Sequence, residues 1–323
     1  MRLVVAIGGN ALLRRGERPD ATVQVEHIRA AARALAPLAL QHELIICHGN
    51  GPQVGMLSLE SENDPELTHP YPFDVLVAQT QGMIGYWLGR SLRNAGVHKP
   101  VMSLITQTLV DASDPAFAAP TKFVGPGYPH EQARHLADRH GWTIAVDGDR
   151  WRRVVASPEP QRIIEQESID RLLDHGAIVI CGGGGGIPVT EDAAGRLHGV
   201  EAVVDKDATA ALLAVATTAD RLLILTDVPA VMDHFGTPQA APLRRLTLDD
   251  AQAGHFPAGS MGPKIAACRS FVDTTGRPAA IGALDAAAAV LAGDAGTALV
   301  PSEAPGTSSR NTTGATAAAF SRG

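Results

Sequence analysis

Three lysines stand beside short loops that are rich in glycine or aspartate: Lys122, Lys206 and Lys264. Lysine is uncommon in this arginine-biased chain, so its placement is informative. Phosphoryl transfer needs in-line positioning and neutralisation of charge on the transferred group, which ammonium groups and backbone N–H donors supply. A single pair such as Lys206 and Asp207 reads first as an exposed ion pair at a helix start, worth little. Together with three glycine loops, however, the lysines predict a phosphoryl-transfer site.

The longest of these loops is a run of five glycines at residues 182–186. It follows the apolar residues 178–180, which are typical of a strand buried on both faces. Glycines permit positive φ and remove every Cβ that would keep a charged ligand from main-chain N–H groups. A flexible linker is disfavoured, because the stiff segment 187–189 follows directly.

Two further predicted strands also end in glycine and asparagine. Residues 3–7 lead into Gly8, Gly9 and Asn10, and residues 44–47 lead into the loop at 49–51. In an open α/β sheet, ligands bind beyond the carboxyl ends of the strands. We therefore expect these loops and the glycine run to meet at one anion-binding edge.

Composition supports an α/β fold. The chain has 323 residues, of which 45% are hydrophobic and only 4% aromatic, which favours a sheet covered by helices. Lys and Arg total 27 against 34 Asp and Glu, and the resulting net charge of −7 argues against a nucleic-acid partner.

The pattern along the chain predicts several further elements. A helix is expected at 74–96 with Asp74 as its N-cap, a strand at 101–106, and a helix at 163–175. Thr247 and Asp250 suggest a capping box on a short helix.

Two segments differ from this alternation. Residues 111–160 are rich in Pro, Gly, Asp and Arg and predict an inserted lid subdomain that carries Lys122. Residues 302–323 are rich in Ser, Thr, Gly and Ala and predict a disordered tail after a main domain at 1–301. His130, His135 and His140 recur every five residues, so they share no helix face and make poor joint metal ligands.

Cysteine usage predicts a reducing, cytoplasmic location. Cys47, Cys181 and Cys268 are odd in number and widely spaced, and are interpreted as small buried fillers rather than thiol catalysts. The apolar start ends at Gly8, too early for a signal peptide, and no segment is apolar for long enough to span a bilayer.

Two common nucleotide-binding motifs do not occur. The chain has no Gly-x-x-x-x-Gly-Lys-Ser/Thr sequence, which disfavours a P-loop ATPase. The Gly-x-Gly-x-x-Gly spacing fails both from Gly49 and within the glycine run, which disfavours a nicotinamide dehydrogenase of the usual type.

The sequence closely resembles the amino-acid kinase superfamily, and within it the carbamate kinase family, from Leu3 to about Val300. The motifs that carry the resemblance are long and occur in the same order as in the family, which makes them highly specific. They are residues 7–11 (IGGNA), 48–55 (HGNGPQVG), 80–86 (TQGMIGY), 120–122 (PTK) with 125–126 (GP), 151–155 (WRRVV), the glycine run, 199–207 (GVEAVVDKD) and 259–264 (GSMGPK).

The resemblance implies a three-layer αβα sandwich with a mainly parallel central sheet and a small protruding lid. It implies reversible transfer from ATP to carbamate, giving ADP and carbamoyl phosphate, with Mg²⁺ carried mainly by the nucleotide phosphates, and a homodimer. The lack of a long apolar segment, noted above, predicts no membrane partner. We expect the reaction to run toward ATP synthesis in arginine or related catabolism. The alternatives are another acyl-phosphate-forming kinase, such as one acting on acetylglutamate, and a catalytically silent nucleotide-binding regulator.

Site residues follow from the resemblance, position by position. The expected catalytic residues are Lys122, Lys206, Asp207 and Lys264. The expected substrate-binding residues are Gly8, Gly9, Asn10, Gly49, Asn50 and Gly51. The expected nucleotide-binding residues are Gly183, Gly184, Gly185, Asp205, Asp227, Met261 and Gly262.

Overall fold

The computed structural model describes residues 1–9, 12–14, 16–254, 256 and 261–302. Within these ranges, buried apolar strands alternate with amphipathic helices along the chain. This alternation is what the apolar runs in the sequence predicted.

The strands are two to seven residues long. In chain order they are β1 (Arg2–Ile7), β2 (Glu43–His48), β3 (Val101–Ser103), β4 (Gln107–Val110), β5 (Lys122–Tyr128), β6 (Thr143–Asp147), β7 (Arg150–Val155), β8 (Pro160–Ile163), β9 (Ile178–Ile180), β10 (Ile187–Glu191), β11 (Leu197–Gly199), β12 (Arg221–Thr226), β13 (Met232–Asp233), β14 (Ala241–Pro242), β15 (Arg245–Thr247), β16 (Ala279–Ala283) and β17 (Thr297–Val300).

The helices connect and cover these strands. They are α1 (Ala21–Gln41), α2 (Gly51–Asn63), α3 (Phe73–Asn94), α4 (His130–His140), α5 (Gln166–Asp174), α6 (Lys206–Ala216), α7 (Leu248–Ala253), α8 (Met261–Thr275) and α9 (Ala287–Ala292).

The central sheet is mainly parallel, as expected. Over the described residues its strand order is β15-β17-β16-β12-β1-β2-β9-β3, and β16 with β17 is its antiparallel pair. Strand β1 lies in the interior, where Val4 is in register with Leu222 on one side and Ile45 on the other. The chain thus leaves β1 toward β2 on one side and reaches β12 on the other, which opens a crevice beyond the carboxyl ends of these strands.

Helices cover both faces of this sheet, which confirms the three-layer architecture. Alternate residues of β1 point into two separate cores: Val4 and Ala6 pack with α6 and α8, whereas Val5 and Ile7 pack with α1 and α3. Because both faces are buried, the strands are almost continuously apolar.

The segment that bears Lys122 forms a structure of its own. Strands β5, β7 and β6 make a three-stranded antiparallel sheet that is separate from the central one, and α4 packs against it. We call β5, α4, β6 and β7 the lid. The predicted bounds of the insertion, 111–160, stay a prediction.

Some local predictions were wrong and one was confirmed. The long helix α3 begins at Phe73 after Pro72, so Asp74 lies in its first turn and is not the N-cap. Ile163 ends strand β8, because it pairs with Thr108, and the next helix begins only at Gln166. The capping box on α7 is present, with Thr247 and Asp250 bonded reciprocally.

The remaining broad predictions concern the tail and the membrane. The tail that was predicted to be disordered lies, beyond Ser302, outside the described residues. Among the described helices, none has both the length and the apolar character that crossing a bilayer requires.

Candidate active site

A cavity of about 1100 Å³ opens beyond the carboxyl ends of β1, β2 and β12. Gly8 and Gly9 follow β1, Gly49 follows β2, and Asp227 follows β12, and all four line the cavity. The loops after β1 and β2 touch, since a Cβ on Gly49 would lie 2.7 Å from the nitrogen of Gly9. Glycine is therefore needed at this junction, and two sets of main-chain groups border the cavity together.

The chain has four lysines, and three of them line this cavity. Lys122 is the first residue of β5, Lys206 is the first residue of α6, and Lys264 lies in the first turn of α8. The fourth, Lys99, lies elsewhere and donates to the carbonyl oxygen of His42 at 2.9 Å. A lid strand and two core helices thus deliver the ammonium groups that the sequence singled out.

Asp207 holds two of these lysines in place. Lys206 Nζ donates to Asp207 Oδ1 at 2.6 Å, and Lys264 Nζ donates to Asp207 Oδ2 at 3.0 Å. The side chains are 12%, 16% and 3% exposed for Lys206, Lys264 and Asp207 respectively. Each carboxylate oxygen therefore fixes one ammonium group, and the two positive charges face the cavity as a preset pair.

The two lysines differ in their proton affinity. Burial acts to lower the pKa of Lys206, but attraction by Asp207 and Asp205 outweighs it and the pKa lies above its ordinary value. Burial and repulsion by Lys206 hold the pKa of Lys264 below its ordinary value. Burial acts to raise the pKa of Asp207, yet the two lysines prevail and lower it. Asp207 is thus a carboxylate, and Lys264 is the more easily deprotonated lysine.

Lys122 is held differently, by a carboxylate across the lid–core boundary. Its Nζ donates to Asp205 Oδ2 at 2.5 Å, and the two side chains are 36% and 22% exposed. The other oxygen of Asp205 caps α6 by accepting from the backbone N–H of Asp207 at 2.8 Å. Burial acts to raise the pKa of Asp205, but Lys122 and Lys206 outweigh it and lower the pKa.

Hydrogen bonds to buried side chains fix the loop after β2. Asn50 lines the cavity, is 3% exposed and donates from Nδ2 to Thr80 Oγ1 at 2.8 Å. Burial lowers the pKa of His48 to about 4, so the ring is neutral and its Nδ1 donates to the carbonyl oxygen of Gly49 at 3.1 Å. Sequence reasoning missed Thr80 and His48 as supports of the loop, although both belong to motifs that it quoted.

The glycine run contributes less to the cavity than predicted. Gly184 lines it, whereas Gly183 and Gly185 lie outside the described lining. A Cβ on Gly183 would lie 2.4 Å from His48 Nε2, and one on Gly185 would lie 2.3 Å from the carbonyl oxygen of Val204. These two glycines therefore permit close packing beneath the cavity, and their positions do not support contact with a nucleotide.

Of the remaining predicted residues, some line the cavity and others do not. Gly51, Asp227 and Met261 line the cavity, and Gly262 does not. Asn10 lies outside the described residues.

The far end of the cavity is lined by residues that sequence reasoning missed. They come from the segment around β13 and β15 and from the chain after α7, and include His234, Phe235, Leu243, Arg245 and Phe256. Aromatic and apolar side chains of this kind suit a flat, partly apolar ligand group. The signal for them in the sequence is weak, since no lysine and no run of glycines marks the segment.

The described residues contain no group of three His, Cys, Asp or Glu side chains that could hold a metal ion. The carboxylates nearest the lysines, Asp205 and Asp207, are already engaged by ammonium groups.

The fold and site define a class of protein. The sequence profile of the amino acid kinase family matches residues 1–283, and the chain belongs to this family. Within it, several similar curated proteins are carbamate kinases. One from Escherichia coli (strain K12) is 50% identical over 91% of this chain and 98% of its own length, and one from Rhizobium meliloti (strain 1021) is 48% identical over 92% of each.

A solved structure agrees with these relatives. Carbamate kinase from Giardia lamblia bound to AMP-PNP is 35% identical to this chain, with a TM-score of 0.84 over 93% of this chain and 98% of that one. The expected fold class is confirmed by this likeness and by the family match.

Proposed function

We infer that the chain is a phosphotransferase that acts on carbamate, catalysing the reversible conversion of ATP and carbamate to ADP and carbamoyl phosphate. The observation that carries this inference is the convergence of Lys122, Lys206 and Lys264 with glycine loops on one cavity. The carbamate kinases that are similar over more than nine-tenths of the chain supply the acceptor.

The reaction requires no covalent bond between the protein and the transferred group. A carbamate oxygen attacks the γ-phosphorus in line, a new O–P bond forms, and the bond from the γ-phosphorus to the β,γ-bridging oxygen breaks as ADP leaves. Charge is spread over the equatorial oxygens of the group in transit. Preset positive groups and N–H donors lower the barrier, because they need no reorganisation as that charge develops.

We assign the core lysines to the transferred group. Lys206 and Lys264 sit at the starts of α6 and α8, where the helix dipoles add to their positive charge. Asp207 keeps the ammonium groups separated and oriented, so it acts on the reaction by positioning them. This role is supported by its burial and by its use of both oxygens.

Lys122 is assigned to the same group from the lid side. Its bond to Asp205 is partly exposed, so an entering phosphoryl group can replace the carboxylate at modest cost. Closure of the lid over the cavity would also exclude water, which would otherwise hydrolyse the acyl phosphate.

We propose that the two ends of the cavity hold the two substrates. The loops bearing Gly8, Gly9, Gly49, Asn50 and Gly51 would hold carbamate or the carbamoyl group, and we assign Asn10 to the same loop by sequence. The end near Asp227 and Met261 would hold the nucleotide, with its base among the apolar side chains. Bound Mg²⁺ would neutralise charge on the nucleotide phosphates.

A phosphorus NMR time course tests the inference. Wild-type protein with carbamoyl phosphate, ADP and Mg²⁺ should consume carbamoyl phosphate while the γ-phosphate signal of ATP grows. Release of inorganic phosphate alone, at the rate seen without protein, would contradict it. A kinase for acetylglutamate would instead phosphorylate that acid from ATP, and a silent regulator would bind ATP without transfer.

We further propose a cytoplasmic homodimer that works toward ATP synthesis in arginine or related catabolism. The dimer is supported by exposed apolar side chains beside the edge strand β3, namely Tyr86, Met102 and Ile105. A reducing compartment is supported by Cys47, Cys181 and Cys268, which are buried and free. Sedimentation of the purified protein measures the first of these proposals.

A further inference from the structure

A buried ion pair joins the lid to the core outside the lining of the cavity. Arg153 Nη1, on lid strand β7, donates to Glu62 Oε1 on α2 at 2.6 Å and to Ser58 Oγ at 2.9 Å. The side chains of Arg153 and Glu62 are only 16% and 7% exposed. Residues 62 and 153 are far apart in sequence, so this contact is made by the tertiary fold alone.

Aromatic rings enclose the pair. The guanidinium carbon of Arg153 lies 4.7 Å from the ring centre of Phe73 and 5.1 Å from that of Trp142. Trp142 Nε1 also donates to Glu62 Oε1, at 3.2 Å. We call these residues, Ser58, Glu62, Phe73, Trp142 and Arg153, the lid clamp.

Stability alone is a weak reason for such a pair. Removing two charges from water is costly, and apolar side chains of similar volume often serve a fold as well. The pair instead fixes the orientation of the Arg153 side chain, because a guanidinium with two fixed acceptors and two flanking rings has one orientation.

That orientation is passed to Lys122 through the lid sheet. Arg153 is in register with Val124, and Val155 is in register with Lys122 on the same pair of strands. The helix also touches this sheet directly, since a Cβ on Gly55 would lie 2.1 Å from Gly125 Cα. Helix α2 therefore holds β5 by its backbone at one point and the neighbouring strand β7 by the lid clamp at another.

The same helix starts at the loop we assign to the substrate. Helix α2 runs from Gly51 to Asn63, and Gly49 and Asn50 precede it directly. One rigid element thus carries the substrate loop at its N-terminus and the lid clamp near its C-terminus.

We propose that Glu62 and Arg153 are positioning residues for the phosphoryl transfer, which fix the lid so that Lys122 reaches the transferred group. This proposal rests on the function proposed above. It concerns residues that do not line the cavity, so their effect on the rate must pass through Lys122.

The hydrogen bonds of Glu62 show which substitution would preserve its contacts. Its Oε1 accepts from Ser58, Trp142 and Arg153, whereas its Oε2 has no hydrogen-bond partner among the described residues. Glu62→Gln keeps the accepting oxygen, while Glu62→Ala removes it. Arg153→Lys keeps the charge but loses the fork and the stacking.

The test is a cycle of variants with Lys122→Ala. Glu62→Ala should lower kcat by about tenfold or more and leave the KM for ADP within about twofold, as expected for a displaced catalytic group. Glu62→Gln should recover most of kcat. In the Lys122→Ala background, Glu62→Ala should change kcat by less than about twofold, because the group it positions is gone.

The matched control removes an exposed ion pair of the same type. Glu167 pairs with Arg171 on α5 with both side chains more than 70% exposed, and Glu167→Ala should leave kcat unchanged. Wild-type kcat in Glu62→Ala, or the same fold loss with and without Lys122, would overturn the proposal. Should Glu62→Ala not fold, Arg153→Lys takes its place in the same cycle.

Hydrogen exchange separates failure of this proposal from failure of the proposed function. If the wild-type protein does not form ATP, the proposed function fails, and kcat values of the variants can no longer test the lid clamp. Exchange should still be faster in Arg153→Lys at Lys122–Tyr128 and unchanged at Arg221–Thr226 in the central sheet. Equal exchange of Lys122–Tyr128 in variant and wild type would overturn the lid clamp in either case.

Discussion

The cavity has a core side and a lid side that hold their lysines in opposite ways. On the core side, Lys206 and Lys264 share a carboxylate that is 3% exposed, and they lie in the first turns of two helices packed on the central sheet. On the lid side, Lys122 is 36% exposed and bonds to Asp205 from a small separate sheet.

The difference indicates that the core lysines provide a fixed positive charge, whereas the lid lysine brings its charge to the substrate as the substrate enters. Buried charges with fixed partners are preset for a developing negative charge, at the cost of their desolvation. A partly exposed lysine on a lid can exchange one anion for another as substrate enters. The predictions below alter one side while leaving the other intact.

The largest effect is expected from removing a core lysine. Lys206→Met or Lys264→Met should each lower kcat by about 10²- to 10³-fold, because a preset positive group facing the transferred phosphoryl is lost. Lys99→Met is the matched control, since Lys99 bonds to His42 outside the cavity. A coupled assay of ATP formation measures all three, and near-normal kcat in both core variants would remove the proposed mechanism.

The two carboxylates should differ next in their effect on stability. Asp207→Asn leaves two buried ammonium groups without the carboxylate that both of them bond and should destabilise the fold by about 3 kcal/mol or more. Asp205→Asn keeps the helix cap and loses a partly exposed pair, so it should cost about 1 kcal/mol or less. Urea unfolding of both variants gives the comparison, and equal losses would show that the two sides are held alike.

Removing the lid lysine should affect the rate without affecting the fold. Lys122→Met should lower kcat by about 10- to 100-fold, less than the core variants, and leave the melting temperature near that of the wild type. Kinetics and thermal unfolding are measured on one preparation. A large fall in melting temperature would show that Lys122 supports the structure rather than the reaction.

The smallest effect concerns the alkaline side of the pH profile. Lys264 has a pKa below its ordinary 10.5 and loses its proton before Lys206, whose pKa is raised. The rate should therefore fall as pH rises toward 10.5. In Lys264→Arg this fall should move to higher pH, because guanidinium keeps its charge. An unmoved profile would assign the fall to another group.

Much of the site could be predicted because its residue types are local and unusual. Glycines directly after apolar strands, such as Gly8 and Gly49, mark the ligand edge of the sheet without any tertiary information. Lys206 and Asp207 are neighbours in sequence, so their pairing needed only the position of a helix start.

The rest depended on contacts between distant segments. No pattern in the sequence reveals that Asn50 bonds to Thr80 or that Arg153 meets Glu62, since the two partners of each contact lie in distant segments of the chain. The error at Asp74 is of another kind: a good capping residue was available, but Pro72 already ends the preceding loop and the helix starts one residue earlier.

The most direct test of the central claim is a crystal structure with ADP, Mg²⁺, carbamate and a planar fluoride analogue of the phosphoryl group in transit. We predict that Nζ of Lys122, Lys206 and Lys264 will each lie about 3 Å from the fluorides, with Lys122 released from Asp205. An analogue bound in the cavity while Lys206 and Lys264 point away from it would contradict the account.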